Sequence, residues 1–111
     1  MNNVFLVGRI TNNIKLQETE DTKYIIVRLS IPRSFKNSEG VYDTDYVKVK
    51  IVGQIAEQYS SYIKKGDMIG IKGRLSAIKN YKLEIIAEKV SFLSSKRKWG
   101  KAKWKINYYQ F

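Results

Sequence analysis

Between Lys23 and Arg33 the side chains alternate almost without a break. Ile25, Val27, Leu29 and Ile31 fall on one side, and Tyr24, Ile26, Arg28 and Ser30 on the other. Successive side chains of an extended backbone point in opposite directions, so a period of two predicts a strand with one face buried. Asp43 to Val52 repeats the pattern, with Val47, Val49 and Ile51 opposite Tyr46, Lys48, Lys50 and Val52. Pro32 predicts the end of the earlier strand or an edge position, because it has no N–H to give a ladder. Lys36 to Gly40 between the two reads as a glycine-containing hairpin loop.

The rest of the chain extends this β pattern and departs from it once. Val4 to Arg9 is rich in β-branched residues and interrupted by Gly8, which predicts a strand with a bulge or a close backbone approach. Thr11-Asn12-Asn13 signals a turn, after which Ile14 to Gln17 alternates and continues the strand; Glu18 to Asp21 is an acidic turn. From Gln54 to Lys65 the period changes: Ile55, Tyr59, Tyr62 and Ile63 are spaced for one helical face, with Lys64 and Lys65 in the last turn and Gly66 as C-cap. Met68 to Ile78, a short turn at Asn80-Tyr81, and Lys82 to Leu93 return to strand. Three strands, one helix and two strands is the order of an all-β OB-fold, a five-stranded barrel with its helix between the third and fourth strands.

Charge narrows the function. The 111 residues, enough for one domain, hold 21 Lys plus Arg against 10 Asp plus Glu, a net charge of +11. Such a surface attracts polyanions, nucleic acid first and an anionic membrane second. Cysteine and histidine are both missing from the sequence, so no thiolate, imidazole base, Cys/His zinc site or cofactor is expected. Asp43 and Asp45 form the one D-x-D, but two carboxylates at a strand start are more often turn residues than magnesium ligands, and the chain does not read as an enzyme. No stretch approaches the roughly 20 apolar residues of a membrane span. Met1-Asn2-Asn3 does not open a signal peptide, so the expected location is the cytoplasm, beside a nucleoid or the DNA of a phage or mobile element.

Charge is also uneven along the chain. Six of the basic residues and none of the acids lie past Ser94, which leaves 15 against 10, or +5, for residues 1–93. Two parts are expected: a barrel over residues 1–93 and a basic aromatic tail over 94–111, which carries Trp99, Trp104, Tyr108, Tyr109 and Phe111. The tail reads best as an added nucleic-acid arm, with Trp99 and Trp104 stacking on bases. Docking on a partner, or no specific role, are the competing readings.

The outward face of the Asp43–Val52 strand interleaves Tyr46 with Lys48 and Lys50. An exposed ring accepts an unpaired base and neighbouring ammonium groups neutralise phosphates, a pairing that favours single strands because a duplex hides its base faces. Phe35 offers a second ring, and Arg28, Arg33, Lys72 and Arg74 are expected to line the same channel. A polar strand face is usually only a solvated one. The combination of rings and cations on the face an OB order exposes favours binding.

Several segments, in order, resemble the bacterial single-stranded DNA-binding proteins: Asn3 to Ile10 as an opening strand, Thr44 to Val49, Tyr62 to Asp67 running into Gly73-Arg74-Leu75, and Ala87 to Leu93 as a closing strand. The likeness covers roughly residues 2 to 93. It implies stacking rings at Phe35 and Tyr46 and near Tyr81, with Val52 standing where many relatives have phenylalanine. It also implies pairing of barrels through the first strand into a homodimer or homotetramer, single-stranded DNA (or RNA) as ligand, coating of DNA in replication, recombination or repair, and contacts with replication proteins. Two features depart from the family. The hairpin at Lys79 to Lys82 is short, and no acids precede Phe111 where relatives carry an acidic tip. A primosomal replication-restart protein B-like dimer that bridges DNA to a helicase is the alternative within the binding class. A module that acts on a protein or membrane through its basic tail is the alternative outside it.

Overall fold

The structure is a computed structural model that describes residues 1–95. Its elements are β1 (Val4–Ile10), β2 (Gln17–Glu18), β3 (Lys23–Lys36), β4 (Tyr42–Val52), α1 (Gln54–Tyr59), β5 (Met68–Ala77), a 3-10 turn at Lys79–Tyr81, and β6 (Leu83–Ser94). The strands run in the order β1-β5-β6-β4-β3, and β1 closes on β3 through Arg9↔Ser30 and Ile10↔Leu29. All pairings are antiparallel except β4 with β6. The result is the expected closed five-stranded barrel, with β2 as a two-residue addition paired along the edge of β3 at Lys23 and Tyr24.

The alternation sets the register. Ile25, Val27 and Leu29 of β3, Val49 and Ile51 of β4, and Ile69 and Ile71 of β5 are fully buried and meet in one core. A slip of one residue in β3 would turn those isoleucines to water and its polar residues to the core, so burial pins the pairing. Gly8 is the predicted close approach. A Cβ there would lie 2.8 Å from Ile31 Cγ1 and 2.9 Å from the Ser30 carbonyl oxygen, so only glycine lets β1 cross β3 at the closure.

Three local expectations are corrected. The chain leaves the sheet after Ile10 rather than continuing through Ile14 to Gln17. The Asn12 side chain serves in place of a strand: its Nδ2 donates to the Ile26 carbonyl at 2.9 Å and its Oδ1 accepts the Arg28 N–H at 2.9 Å. Ile14 and Leu16 still pack on the core, which accounts for the alternation that read as strand. The helix has six residues and ends at Tyr59, not Lys65. Beyond it, buried Asp67 accepts the Lys64 N–H at 2.8 Å and so takes that amide out of any helical ladder. Gly66, at φ 94°, therefore turns the chain into β5 and is not a helix cap; its N–H donates to the Ile10 carbonyl at 2.8 Å. Finally, β3 runs through Pro32 to Lys36, and the register shifts between those two residues. A residue without an N–H is accommodated at such an irregularity.

Candidate nucleic-acid interface

The outer side of β3 and β4 gathers four of the predicted residues. Register pairs place Arg28 beside Lys48 and Ser30 beside Tyr46. Tyr46 is 76% exposed although it stands on a strand whose next inward residues are core. A further row crosses four strands, Ile26↔Lys50 on β3 and β4, Lys50↔Ile86 onto β6, and Ile86↔Arg74 onto β5. Arg74 thereby reaches the β4 face, and its guanidinium lies 4.0 Å from Glu88.

Phe35 lies within the stretch between Pro32 and Lys36 where the register shifts, on the upper part of the β3–β4 hairpin, and is 65% exposed. Polar contacts hold this arm. Asn37 Oδ1 accepts the N–H groups of Glu39 and Val41 at 2.8 and 3.0 Å, closing the turn, and Gly40 takes the positive φ of 78° that the turn needs. Lys36 Nζ sits 5.7 Å from the Tyr42 ring centroid. Arg33 donates through Nε and Nη2 to Asp45, the shorter bond 3.0 Å, and Asp43 lies 3.8 Å away. The hydrogen bond to Asp45 and its charge raise the guanidinium above its ordinary pKa. Arg33 is thus already paired with acids, and the D-x-D serves as its clamp.

Two other expected residues sit elsewhere. Lys72 pairs across the outer side with Phe5 of β1 and Lys89 of β6, a row that does not reach β4. Tyr81 is 98% exposed at the tip of the β5–β6 hairpin, where Asn80 and Tyr81 both take left-handed backbone. Trp99 and Trp104 lie outside the described residues.

Sequence reasoning missed two rings. Tyr42, on the arm, is 53% exposed. The alternation places the start of the strand at Asp43, and only the extended pairing Lys36↔Tyr42 reveals Tyr42 as a strand residue. Tyr24 stands on the outer face with Lys50 Nζ 4.7 Å above its ring, so this lysine has an aromatic partner before any ligand arrives. Its place in the alternation with Arg28 was the available signal. Among the described residues no group of three or more Asp, Glu, His or Cys is arranged to hold a metal, and no helix is long and apolar enough to cross a membrane.

The comparisons with known proteins agree with this geometry. The single-strand binding protein family matches residues 1–93. Single-stranded DNA-binding protein 1 of Clostridium acetobutylicum is 32% identical over 107 residues, covering 87% of this chain and 97% of its own. Single-stranded DNA-binding protein 3 of Listeria innocua is 34% identical over 107 residues, covering 87% of this chain and 66% of its own. The wild-type single-stranded DNA-binding protein from Thermus aquaticus shares the fold at a TM-score of 0.74 and 22% identity, covering 87% of this chain and 52% of the other. A deletion variant of that protein superposes at a TM-score of 0.70 with 24% identity.

Proposed function

This chain belongs to the single-strand binding protein family, and from that premise we propose that it binds single-stranded DNA, without sequence preference, on the outer side of β3 and β4. One observation carries the placement. Tyr46 is 76% exposed on a strand that Val49 and Ile51 fix in the core further along, with Ser30 across from it and the Arg28–Lys48 pair one step along. A ring held in the open on a stiff support loses little freedom when a base stacks on it, and the adjacent cations take the phosphates.

Around this centre, Lys50 and Arg74 extend the cationic row, while Phe35 supplies a second ring on the arm and Tyr81 a third at the β5–β6 tip. Lys72 belongs to the same cationic surface at greater distance. The same reading gives the basic aromatic sequence of residues 94–111 a part in binding, with Trp99 and Trp104 stacking on bases. Arg33 holds the arm in shape through Asp45. The chain acts by coating strands exposed in replication, recombination or repair, and performs no catalysis. Barrels associate through β1: from Val4 to Val7 it is paired with β5 on one side, and among the described residues no strand pairs its other side there. An open edge of that kind favours a second copy, as a homodimer or within a homotetramer.

The test is a fluorescence-anisotropy titration of the whole chain with labelled oligo-dT and with a duplex of equal length, at two salt concentrations. Oligo-dT is expected to bind much more tightly than duplex, with affinity falling steeply as salt rises. Equal affinity for both would show that charge alone holds the polymer and that the aromatic platform has no part.

A further inference from the structure

The regular part of the β3–β4 outer face has a ring at each end. Successive register pairs run Tyr24↔Val52, Ile26↔Lys50, Arg28↔Lys48 and Ser30↔Tyr46. Each row is a two-residue step of about 7 Å, so the rows of Tyr24 and Tyr46 stand about 20 Å apart. Lys50, Arg28 and Lys48 fill the two rows between them. Among the described residues the ion pairs engage Lys23, Arg33 and Arg74 but none of these three. Arg28 and Lys48 stand directly opposite, where like charges repel, and an anion between them relieves the repulsion. Three cations between two rings match a run of phosphates with bases stacked at both ends. About six nucleotides span that distance if the strand is stacked at about 3.4 Å each, and fewer if its bases are splayed.

Tyr24 is firmly held. Ile25 beside it is fully buried, the Lys23 carbonyl accepts the Gly53 N–H at 2.9 Å, and the Tyr24 hydroxyl donates to Gln17 Oε1 of β2 at 3.2 Å. Val52, across from it, brings no ring to the row. The Tyr24 ring is half-buried, and the end of a flexible side chain lies over its face: Lys50 Nζ is 4.7 Å from the centroid. An ammonium is drawn there by the negative face of the ring, and such a contact near the surface is weaker than a base stack. The lysine stem turns aside through ordinary rotamers. Its ammonium then meets a phosphate, so the ring is uncovered without leaving a charge unpartnered.

We propose that Tyr24 is a further base-stacking residue that closes the β2 end of the interface, with Lys50 as its placeholder. In the free protein the ammonium covers the ring; in the complex a base takes the ring and the ammonium takes a phosphate. This rests on the single-stranded DNA binding proposed above and gives the same face its second end. A ring that only packs has apolar groups over its face, whereas this one has an ammonium. Held by Gln17 and by a buried neighbour, it loses little freedom when a base stacks on it.

The experiment compares the whole chain with Tyr24→Leu, which keeps apolar bulk without a ring, and with Tyr24→Phe, which keeps the ring without the hydroxyl. Tyr46→Ala is the reference for the face as a whole. Each protein is titrated by anisotropy with oligo-dT of about 12 nucleotides, inside the range one barrel covers, and with an abasic strand of equal length. Urea denaturation establishes that each variant is folded. Tyr24→Leu is expected to weaken oligo-dT binding at least about fivefold and Tyr24→Phe by less than about twofold. Both are expected to bind the abasic strand as the wild type does, because it has phosphates but no base to stack. Wild-type affinity for oligo-dT in Tyr24→Leu, beside a loss in Tyr46→Ala, would overturn the role of Tyr24 and leave the interface intact. Equal losses on oligo-dT and on the abasic strand would overturn it in favour of a part in shaping the sheet. Equal losses in Tyr24→Leu and Tyr24→Phe would overturn it in favour of the hydroxyl. No oligo-dT binding by the wild type would overturn the binding function itself and Tyr24 with it. If Tyr24→Leu does not fold, ultraviolet crosslinking of the same oligo-dT to the wild type decides: a crosslink at Tyr24 supports the assignment, and crosslinks at other rings without one at Tyr24 overturn it.

Discussion

The β3–β4 hairpin is two structures built from one pair of strands. In its lower half, from Tyr24–Val52 to Pro32–Thr44, the register is unbroken and one side is core: Ile25, Val27, Leu29, Val49 and Ile51 are all fully buried. In its upper half, from Arg33 to Asp43, the register shifts and the residues from Arg33 to Lys36 are all exposed. Burial holds the lower half, while polar contacts hold the upper half: Arg33 on Asp45, Asn37 on its own turn, Lys36 over Tyr42. The lower half is therefore a stiff support for Tyr46. The upper half is an adjustable carrier for Phe35, since exposed polar contacts each contribute little and rearrange at little cost.

The largest effect should come from the lower half. Ile51→Ala removes a fully buried side chain from the core and is expected to cost about 2–5 kcal/mol of unfolding free energy, read by urea denaturation. Val41→Ala, at 54% exposed on the arm, should change it by less than about 0.5 kcal/mol. Comparable losses at the two positions would mean that the arm is packed in solution and that the contrast between the halves is false.

That contrast also marks where the sequence could be read. The barrel was legible because burial imposes a period of two, and Val27, Leu29, Val49 and Ile51 show it without ambiguity. The helix end was misjudged because it depends on one buried carboxylate, Asp67, whose partner Lys64 N–H is a main-chain group with no trace in the pattern. Ile14 and Leu16 alternated like a strand, but Asn12 had already replaced the ladder there with side-chain hydrogen bonds. Within the interface, Tyr46, Lys48 and Arg28 were legible as an outward row. The engagement of Arg33 with Asp45 was not, because it spans a register shift that periodicity does not encode. The neighbours of Lys72 were not legible for a related reason: which strands flank β5 is a matter of barrel order, and that order places Phe5 and Lys89 beside it.

The next effect sharpens the comparison by function. Tyr46→Ala and Phe35→Ala are each expected to weaken oligo-dT binding by about 1–3 kcal/mol, the usual worth of one stacked base. Asn37→Ala should weaken it by less, through loss of the turn that aims Phe35, with no change in unfolding free energy beyond about 1 kcal/mol. The double variant Phe35→Ala/Asn37→Ala should bind like Phe35→Ala alone, whereas Tyr46→Ala/Asn37→Ala should show the sum of the two losses. Anisotropy titrations of the five proteins and the wild type decide it. Full additivity of Asn37→Ala with Phe35→Ala would separate the turn from the ring and end the account of the arm as a carrier.

The smallest effect lies at the root of β3, where a second polar clamp mirrors that of Arg33. Lys23 Nζ is 2.7 Å from Glu57 of α1 and 3.8 Å from Glu18. The hydrogen bond and charge of Glu57, with a smaller part from Glu18, raise the Lys23 pKa above its ordinary value of 10.5. A lysine whose folded pKa is raised binds its proton more tightly in the native state than in the unfolded one. Its stabilisation is therefore complete below 10.5 and is lost as pH rises through the higher folded value. Lys23→Met is expected to lower the melting temperature slightly at neutral pH, and the difference from wild type should shrink as the solution is made strongly alkaline. Because Lys23 and Glu57 are both close to half exposed, salt should shrink it too. A difference that persists unchanged at high pH and high salt would mean that the lysine stem supports this end of the strand by packing. The two ends of β3 would then be held by different physics, a charge clamp at Arg33 and an apolar contact at Lys23.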